Sequence, residues 1–505
     1  MAPFRFDNTF ARELSGLYAP WKPTPAPAPR LLFFNDVLAD ELGIDLAASR
    51  GPEGAALWSG NALPDGAEPI AQAYAGHQFG GFSPQLGDGR ALLLGEVIDH
   101  SGRRRDIAFK GSGRTPFSRG GDGKAAVGPM LREVLIGEAM HALGIPTTRA
   151  LAVAATGEPV YRERLLPGAV LTRVAASHLR VGTFQFVAAR GDVDTLRRLA
   201  DYAIARHDPA LVDAPQRYVG LLRTVSERQA ALIAQWMNVG FIHGVMNTDN
   251  MTISGETIDY GPCAFMEAYD PATVFSSIDH GGRYAYANQP LIARWNLARL
   301  AETLLPLIAE DESEAAVQHA VAQVTQVIDA FPGFYDHALR QGQRRKLGLV
   351  APALATSHAQ PDAALADDWL GLMHSQGVDH TLAWRRLADA ASGNAESLRA
   401  LFPQAHMLDP WLTRWRERCA LDTNQGGGSS PERAAQMRQM NPWVIPRNHV
   451  VEAALSAASD HDDLGPFGRL LAALRSPYDE TADNAVYGVP APKETTAHYQ
   501  TFCGT

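Results

Sequence analysis

Asp249, Asn250 and Asp259 place three oxygen-bearing side chains within eleven residues, and His243 stands six positions before the first of them. Met251-Thr252-Ile253, a turn at Gly255 and Thr257-Ile258-Asp259 predict a β-hairpin that gathers the three at one end. One carboxylate and one amide, with room for water and substrate phosphates, suit magnesium better than the all-protein cage that calcium takes. Oxygen ligands alone leave manganese as the alternative. In isolation the cluster reads first as a polar loop of Asx-turns, so the elements around it must decide.

Upstream, residues 75–90 are dense in glycine and end in Gly87-Asp88-Gly89-Arg90. Two strands over 91–98 and 106–110 follow, and Lys110 closes the second. The pattern is a fragment of GxGxxG, because Leu92 stands where the third glycine would. A glycine turn, two strands and a strand-borne lysine resemble the phosphate-covering loop and nucleotide lysine of protein kinases. The loop 111–124 mixes Arg114, Arg119 and Lys124 with Asp122, Gly123 and other glycines, as a loop holding a polyanion would. A helix is expected over 129–143, stopped by Gly144-Ile145-Pro146. Its Glu133 and Glu138 do not both point inward. Glu133, flanked by Leu131, Val134 and Leu135, is the expected partner of Lys110. A hairpin turning at Thr156-Gly157-Glu158 and a strand over 169–174 would complete a five-stranded sheet. Arg173 and Arg180 flank the next polar loop, where either could grip a phosphate through two hydrogen bonds or serve as a surface charge.

The chain has 505 residues, with 45 basic against 55 acidic side chains and a formal charge of −10. That balance argues against a general nucleic-acid surface. Three cysteines are too few for a secreted disulfide framework, and no run of 18 apolar residues occurs. A cytoplasmic protein without a membrane partner is expected. Four regions are expected: an N-terminal wrapping extension over 1–75, with an extended proline-rich tract from Pro20 to Pro29; a β-rich N-lobe over 76–183; a helical C-lobe over 184–425 carrying the catalytic segment 243–261; and a C-terminal extension over 426–505, opening on the glycine linker 426–430. Helices are expected over 193–207, 218–238, 291–305 and 314–330. The fold class is α+β, a protein-kinase-like pair of lobes.

Kinases carry H-R-D-L-x-x-x-N and then Asp-Phe-Gly. Here His243 and Asn250 keep the first spacing, Asp259-Tyr260-Gly261 stands in the second place, and the position of the proton-accepting aspartate is Val245. Either the chain is an inactive kinase relative, or Asp249 has taken over as base in a differently arranged reaction. Tyr74 to Gly80, Gln85 to Arg90, Lys110 to Arg119, Gly137 to Arg149, His243 to Asn250, Asp259 to Pro262 and Asn441 to His449 together resemble the selenoprotein O family of protein adenylyltransferases over nearly the whole chain. The resemblance implies a kinase-like fold that binds ATP in a flipped orientation and transfers AMP to Ser, Thr or Tyr hydroxyls of protein substrates, releasing pyrophosphate. A γ-phosphoryl-transferring kinase and a non-catalytic ATP-binding module are the alternatives.

Residue by residue, the resemblance implies nucleotide contacts by Gly87, Gly89, Arg90, Lys110, Asp122, Gly123, Arg173 and Arg180, with Glu133 orienting Lys110. Asn250 and Asp259 would hold magnesium or manganese, and Asp249 would accept the proton. Some members of that family carry selenocysteine third from the C-terminus, where this chain has Cys503; the resemblance implies a partner cysteine in the activation segment, whose position is Phe275 here, with Cys263 the nearest alternative.

Overall fold

The apolar run Ala91-Leu-Leu-Leu94 is the mark of a strand covered on both faces, and in the computed structural model, which describes residues 5–351, 358–496 and 499–502, it lies at the centre of the largest sheet. In chain order the strands are β1 (Tyr18–Pro20), β2 (Arg30–Phe34), β3 (Ile70–Gln72), β4 (Gly76–Gln78), β5 (Gly81–Ser83), β6 (Ala91–Ile98), β7 (Arg104–Lys110), β8 (Ala125–Ala126), β9 (Arg149–Tyr161) and β10 (Leu165–Ala175). β4 and β5 form a separate hairpin, and the other eight make one antiparallel sheet in the order β1-β3-β6-β7-β10-β9-β2, with β8 beside β10.

The sheet has eight strands where five were expected: the N-terminal segment supplies β1, β2 and β3, including both edges, β8 is a short addition, and the three strands expected over 148–174 are the two long strands β9 and β10. Between β1 and β2 the proline-rich tract crosses the sheet, donating from Trp21 to Pro69, from Thr24 to Ser112 and from Ala28 to Thr156. Six strand spacings of about 4.8 Å make about 29 Å. Ten residues of extended proline-type chain reach about 31 Å, so the tract is just long enough to span edge to edge.

Thr156-Gly157-Glu158 is not the turn that was expected. β9 runs through it, and its pairing with β10 slips there, from Pro167 opposite Pro159 to Ala169 opposite Ala155. The residues form a bulge, for which Gly157 adopts a φ of +75°. The turn lies at 162–164, closed by the Arg162 N–H on the Arg164 carbonyl.

One face of the sheet is covered by the helix Val127–Ala142, which is buried almost all round because the helices Asn448–His461 and Gly465–Leu474 lie over its far side. Trp58, Leu38 and Leu57 seal the opposite face. Helices Val193–His207, Arg217–Val239, Gln289–Ile308 and Glu314–Lys346 form the helical part, whose core runs without a break into Ile70, Leu93, Ala108, Ile136 and Met140. The helix expected over 314–330 continues sixteen residues further, through Pro332. The Ile328 carbonyl that Pro332 cannot serve accepts from Arg294 Nε at 3.2 Å, which offsets the lost helical bond. The glycine stretch after Gly426 is a tight connector: Gly427 N–H closes on the Asp422 carbonyl, and Ser429 with Glu432 forms a capping box for the next helix.

Candidate active site

Helix Arg217–Val239 ends at Gly240 in the left-handed conformation, and the two-residue strand β11 (Phe241–Ile242), paired with β12 (Ala264–Phe265), delivers the chain to His243. The buried His243 ring accepts the Val245 N–H at Nδ1 (3.3 Å) and donates from Nε2 to the Ile258 carbonyl (2.9 Å), tying both arms of the segment together.

The hairpin expected between 251–253 and 257–259 does not form as a ladder. Thr252 pairs with Arg180 and Thr257 with Thr147, so the two arms spend their backbone groups on different neighbours. The expected convergence is nevertheless present: Asp249, Asn250 and Asp259 line one cleft of about 1030 Å³. The same cleft is lined by Gly87, Gly89, Arg90, Lys110, Asp122, Gly123, Glu133, Arg173 and Arg180.

Asp259 is the hub. Its φ is +62°, a conformation that aspartate tolerates better than most residues. Lys110 Nζ and Arg173 Nη1 each donate to its Oδ1 at 2.8 Å, and Arg180 Nη2 lies 3.8 Å from its Oδ2. Burial opposes ionisation of this carboxyl, but the three cations hold it well below the usual carboxylate range. Lys110 also donates to Glu133 Oε1, as the apolar flanks of that glutamate suggested. Glu138 faces away from the cleft and binds Arg149 (Nε to Oε1, 2.5 Å) and Arg475 (2.9 Å). The sheet register explains why the cations converge: Leu171 is opposite Lys110 and Arg173 opposite Ala108, so neighbouring strands present them side by side.

Asp249 sits in a drier setting. Burial pushes its carboxyl up to about 6; Oδ2 accepts from Gln78 Nε2 at 3.1 Å, and Oδ1 is buried without a hydrogen-bond partner. Asn250 donates Nδ2 to the Val245 carbonyl at 3.0 Å, leaving its oxygen as the remaining acceptor. Arg180 donates to the Asp249 carbonyl at 3.2 Å and lies 4.4 Å over the Tyr74 ring. Arg90 lines the cleft with Nη1 buried and unpartnered.

The glycines carry a structural duty beside any ligand. A Cβ on Gly87 would stand 2.6 Å from the Phe117 ring, and one on Gly89 would stand 2.9 Å from the Phe117 carbonyl. Asp122 is engaged by Arg162 at 2.9 Å and by the Lys124 N–H at 2.9 Å, so its carboxylate shapes the loop. Gly123 has φ +68° and no space for a side chain against Gly113.

Gln78, Asp88 and Arg162 were not singled out, yet each lines the cleft. Burial pushes Asp88 up to about 6, and its Oδ2 accepts the Gln72 N–H at 3.0 Å. The density of glycine around positions 76–89 was the available signal for Gln78 and Asp88. Nothing in the sequence marked Arg162, which reaches the cleft through the displaced β9–β10 turn.

Cys263 and Cys419 are buried free thiols, and burial pushes Cys263 up to about 11. Cys503 lies outside the described residues. The C-terminal segment reaches the Phe275 position: Thr501 N–H donates to the Phe275 carbonyl at 2.8 Å, and the Tyr499 ring packs 5.8 Å from the Phe275 ring.

Among the described residues no helix is long and apolar enough to cross a membrane. A family model described as protein adenylyltransferase SelO matches residues 2–475. A protein nucleotidyltransferase YdiU of Chromobacterium violaceum is 61% identical over 488 residues, covering 97% of this chain and 99% of its own. Proteins with the same description from Cereibacter sphaeroides (58% over 503 residues, 99% and 100% covered) and Rhizobium etli (57% over 506 residues, 100% and 98% covered) are similar throughout. The chain belongs to the SelO family of protein adenylyltransferases and is an enzyme of the nucleotidyltransferase class.

Proposed function

We propose that the chain transfers AMP from ATP to Ser, Thr or Tyr hydroxyls of protein substrates on a protein-kinase-like two-lobed scaffold, in the cytoplasm. The observation that carries this reading is Val245. Where a phosphoryl-transferring loop would hold its proton acceptor, an apolar side chain is buried, and the next carboxylate along the chain that lines the cleft is Asp249 beside Asn250.

The acceptor oxygen attacks the α-phosphorus, the bond from that phosphorus to the bridging oxygen breaks, and pyrophosphate leaves. Asp249 receives the hydroxyl proton. A carboxylate whose pKa is raised to about 6 is a stronger base than an exposed aspartate while staying ionised at neutral pH. Lys110, Arg173 and Arg180 set the positive side of the cleft against the triphosphate, with Arg90 as a further cation, and Gly87, Gly89, Asp122 and Gly123 shape the loops over it. Glu133 orients Lys110.

The residues fit a divalent metal. Asn250 has a free carbonyl oxygen, Asp259 a carboxylate in the same cleft, and Asp249 Oδ1 is an orphaned buried acceptor. Among the described residues no group of three His, Cys, Asp or Glu is placed to hold a metal, so the remaining ligands would be water and phosphate, the habit of magnesium. Asn250 and Asp259 would hold it, with manganese suiting the same oxygens, and bound there it neutralises phosphate charge.

ATP labelled at the α or the γ position tests this reading. Label from the α position appears on protein acceptors if AMP is transferred; label from γ alone means a kinase, and none from either means an ATP-binding module.

A further inference from the structure

Arg173 is buried, and Asp259 is not its only restraint. Its Nε–H donates to His178 Nε2 at 3.2 Å, so that ring nitrogen is the unprotonated one. The proton sits on Nδ1, which donates to Asp106 Oδ2 at 2.9 Å; the same oxygen accepts the His178 backbone N–H at 2.8 Å. Asp106 Oδ1 accepts from Arg206 Nη2 at 2.5 Å, and Arg206 Nη1 donates to Glu96 Oε2 at 3.0 Å. Glu96 Oε1 in turn accepts the Phe10 N–H at 2.6 Å. A hydrogen-bonded chain thus runs from the N-terminal helix Thr9–Glu13 to Asp259 in the cleft, through Glu96, Arg206, Asp106, His178 and Arg173, whose side chains are at most 5% exposed.

The neutral ring in the middle of this chain has a consequence for charge. An aspartate set directly against Arg173 would orient it but also neutralise it. An imidazole between the two orients it and leaves its charge directed to Asp259 and the cleft. Burial depresses the His178 ring to about 4, so it stays neutral at physiological pH. Asp106 is held down to about 2, against burial, by Arg206 and His178. A guanidinium anchored only at Nη1 swings about that contact, whereas one held at both Nη1 and Nε has its plane defined.

We propose that His178, locked in its Nδ1–H tautomer by Asp106, is the positioning residue for Arg173, and that the orientation it imposes is the one the ATP triphosphate requires. The inference rests on reading the cleft as the ATP site.

Two substitutions separate positioning from packing. In His178→Asn the amide nitrogen keeps a donor near Asp106, and nothing reaches Arg173 Nε. In His178→Gln the longer side chain returns an acceptor oxygen toward Arg173. AMP transfer from α-labelled ATP with magnesium is measured on the full chain, together with ATP affinity by calorimetry and the unfolding temperature. Loss of supporting contacts behind a site-directed side chain costs roughly 10-fold or more. H178N is expected to lose about tenfold in kcat/KM for ATP and in ATP affinity, and H178Q to recover to within about threefold of wild type at a similar unfolding temperature. Wild-type affinity in both variants overturns the inference, as does an equal loss in both that follows their unfolding temperatures. A wild-type chain that binds ATP but transfers no AMP counts against the proposed activity instead, and the calorimetric comparison still decides the role of His178.

Discussion

Gly76 and Asp249 lie so close that a β-carbon on Gly76 would stand 2.5 Å from Asp249 Oδ1. Glycine is required here by proximity rather than by a left-handed backbone, because Gly76 is not among the residues with positive φ. The β4–β5 hairpin is thereby seated on the segment that carries the candidate base, with the His77 N–H on Thr248 Oγ1 at 2.7 Å.

Gly76→Ala is therefore expected to displace the Asp249 carboxylate while leaving the fold intact. Misplacing a catalytic group by about 1 Å costs up to roughly 100-fold. AMP transfer should fall by about 10- to 100-fold, with far-UV circular dichroism unchanged; wild-type turnover would show that Asp249 does not need its present position.

Asp249→Asn keeps the shape and removes the proton acceptor. General-base catalysis contributes about 100- to 10,000-fold, so kcat should drop by that order while ATP affinity, measured by calorimetry, changes little. Asp259→Asn preserves a residue at ease with φ +62° and removes the charge that Lys110 and Arg173 share. It should weaken both ATP–magnesium binding and turnover, as should Lys110→Ala. Normal rates in all three would dissolve the site assignment.

The two glutamates of helix Val127–Ala142 should separate function from stability. Removing one partner of a buried ion pair costs about 3 to 5 kcal/mol. Glu138 is 2% exposed and clamped by Arg149 and Arg475, so Glu138→Ala should lower the denaturation midpoint by an amount of that order, with the KM for ATP unchanged. Glu133→Gln removes the charge facing Lys110 and should act chiefly on turnover. Chemical denaturation beside AMP-transfer kinetics reads both.

Acid should destabilise the chain through His178. Its ring is about 4 when folded and 6.5 when free, so the unfolded state takes up a proton that the folded state refuses. The folded pKa of this base is depressed: stability is intact above about 6.5 and falls as the pH drops toward 4. At 1.36 kcal/mol per unit this amounts to about 3 kcal/mol. Denaturation midpoints of wild type and His178→Gln between pH 7 and 4 check it, because the variant should lack this part of the slope. Parallel curves would mean that His178 is not neutral in the folded chain.

How far the site could be read from the chain depended on how local each restraint is. Asp249, Asn250 and Asp259 are linked by short spacings, and their place in one cleft follows from a loop of eleven residues. Lys110 and Glu133 were paired through a strand end and an apolar helix stripe, both patterns of period two or 3.6. The turn at Thr156-Gly157-Glu158 failed because a glycine with positive φ serves a bulge as well as it serves a turn, and only the partner strand decides between them. The hairpin at 251–259 failed for a similar reason: its backbone groups found Arg180 and Thr147, more than seventy residues away in sequence. The helix over 314–346 was cut short at Pro332 because nothing local announces that Arg294 will serve the Ile328 carbonyl.

By itself the sequence marked Asp249, Asn250 and Asp259 as candidates that meet, since residue types and short spacings are properties of the chain alone. Tertiary structure decided what surrounds them: the burial that raises Asp249, the three cations that lower Asp259, the Gln78 contact, and the Asp106–His178 link behind Arg173. Those follow from which distant groups share a dry environment, and electrostatic strength depends on that environment more than on identity. The segment from His243 to Gly261 therefore shows its acids in the sequence, and only the packing around them moves Asp249 up and Asp259 down.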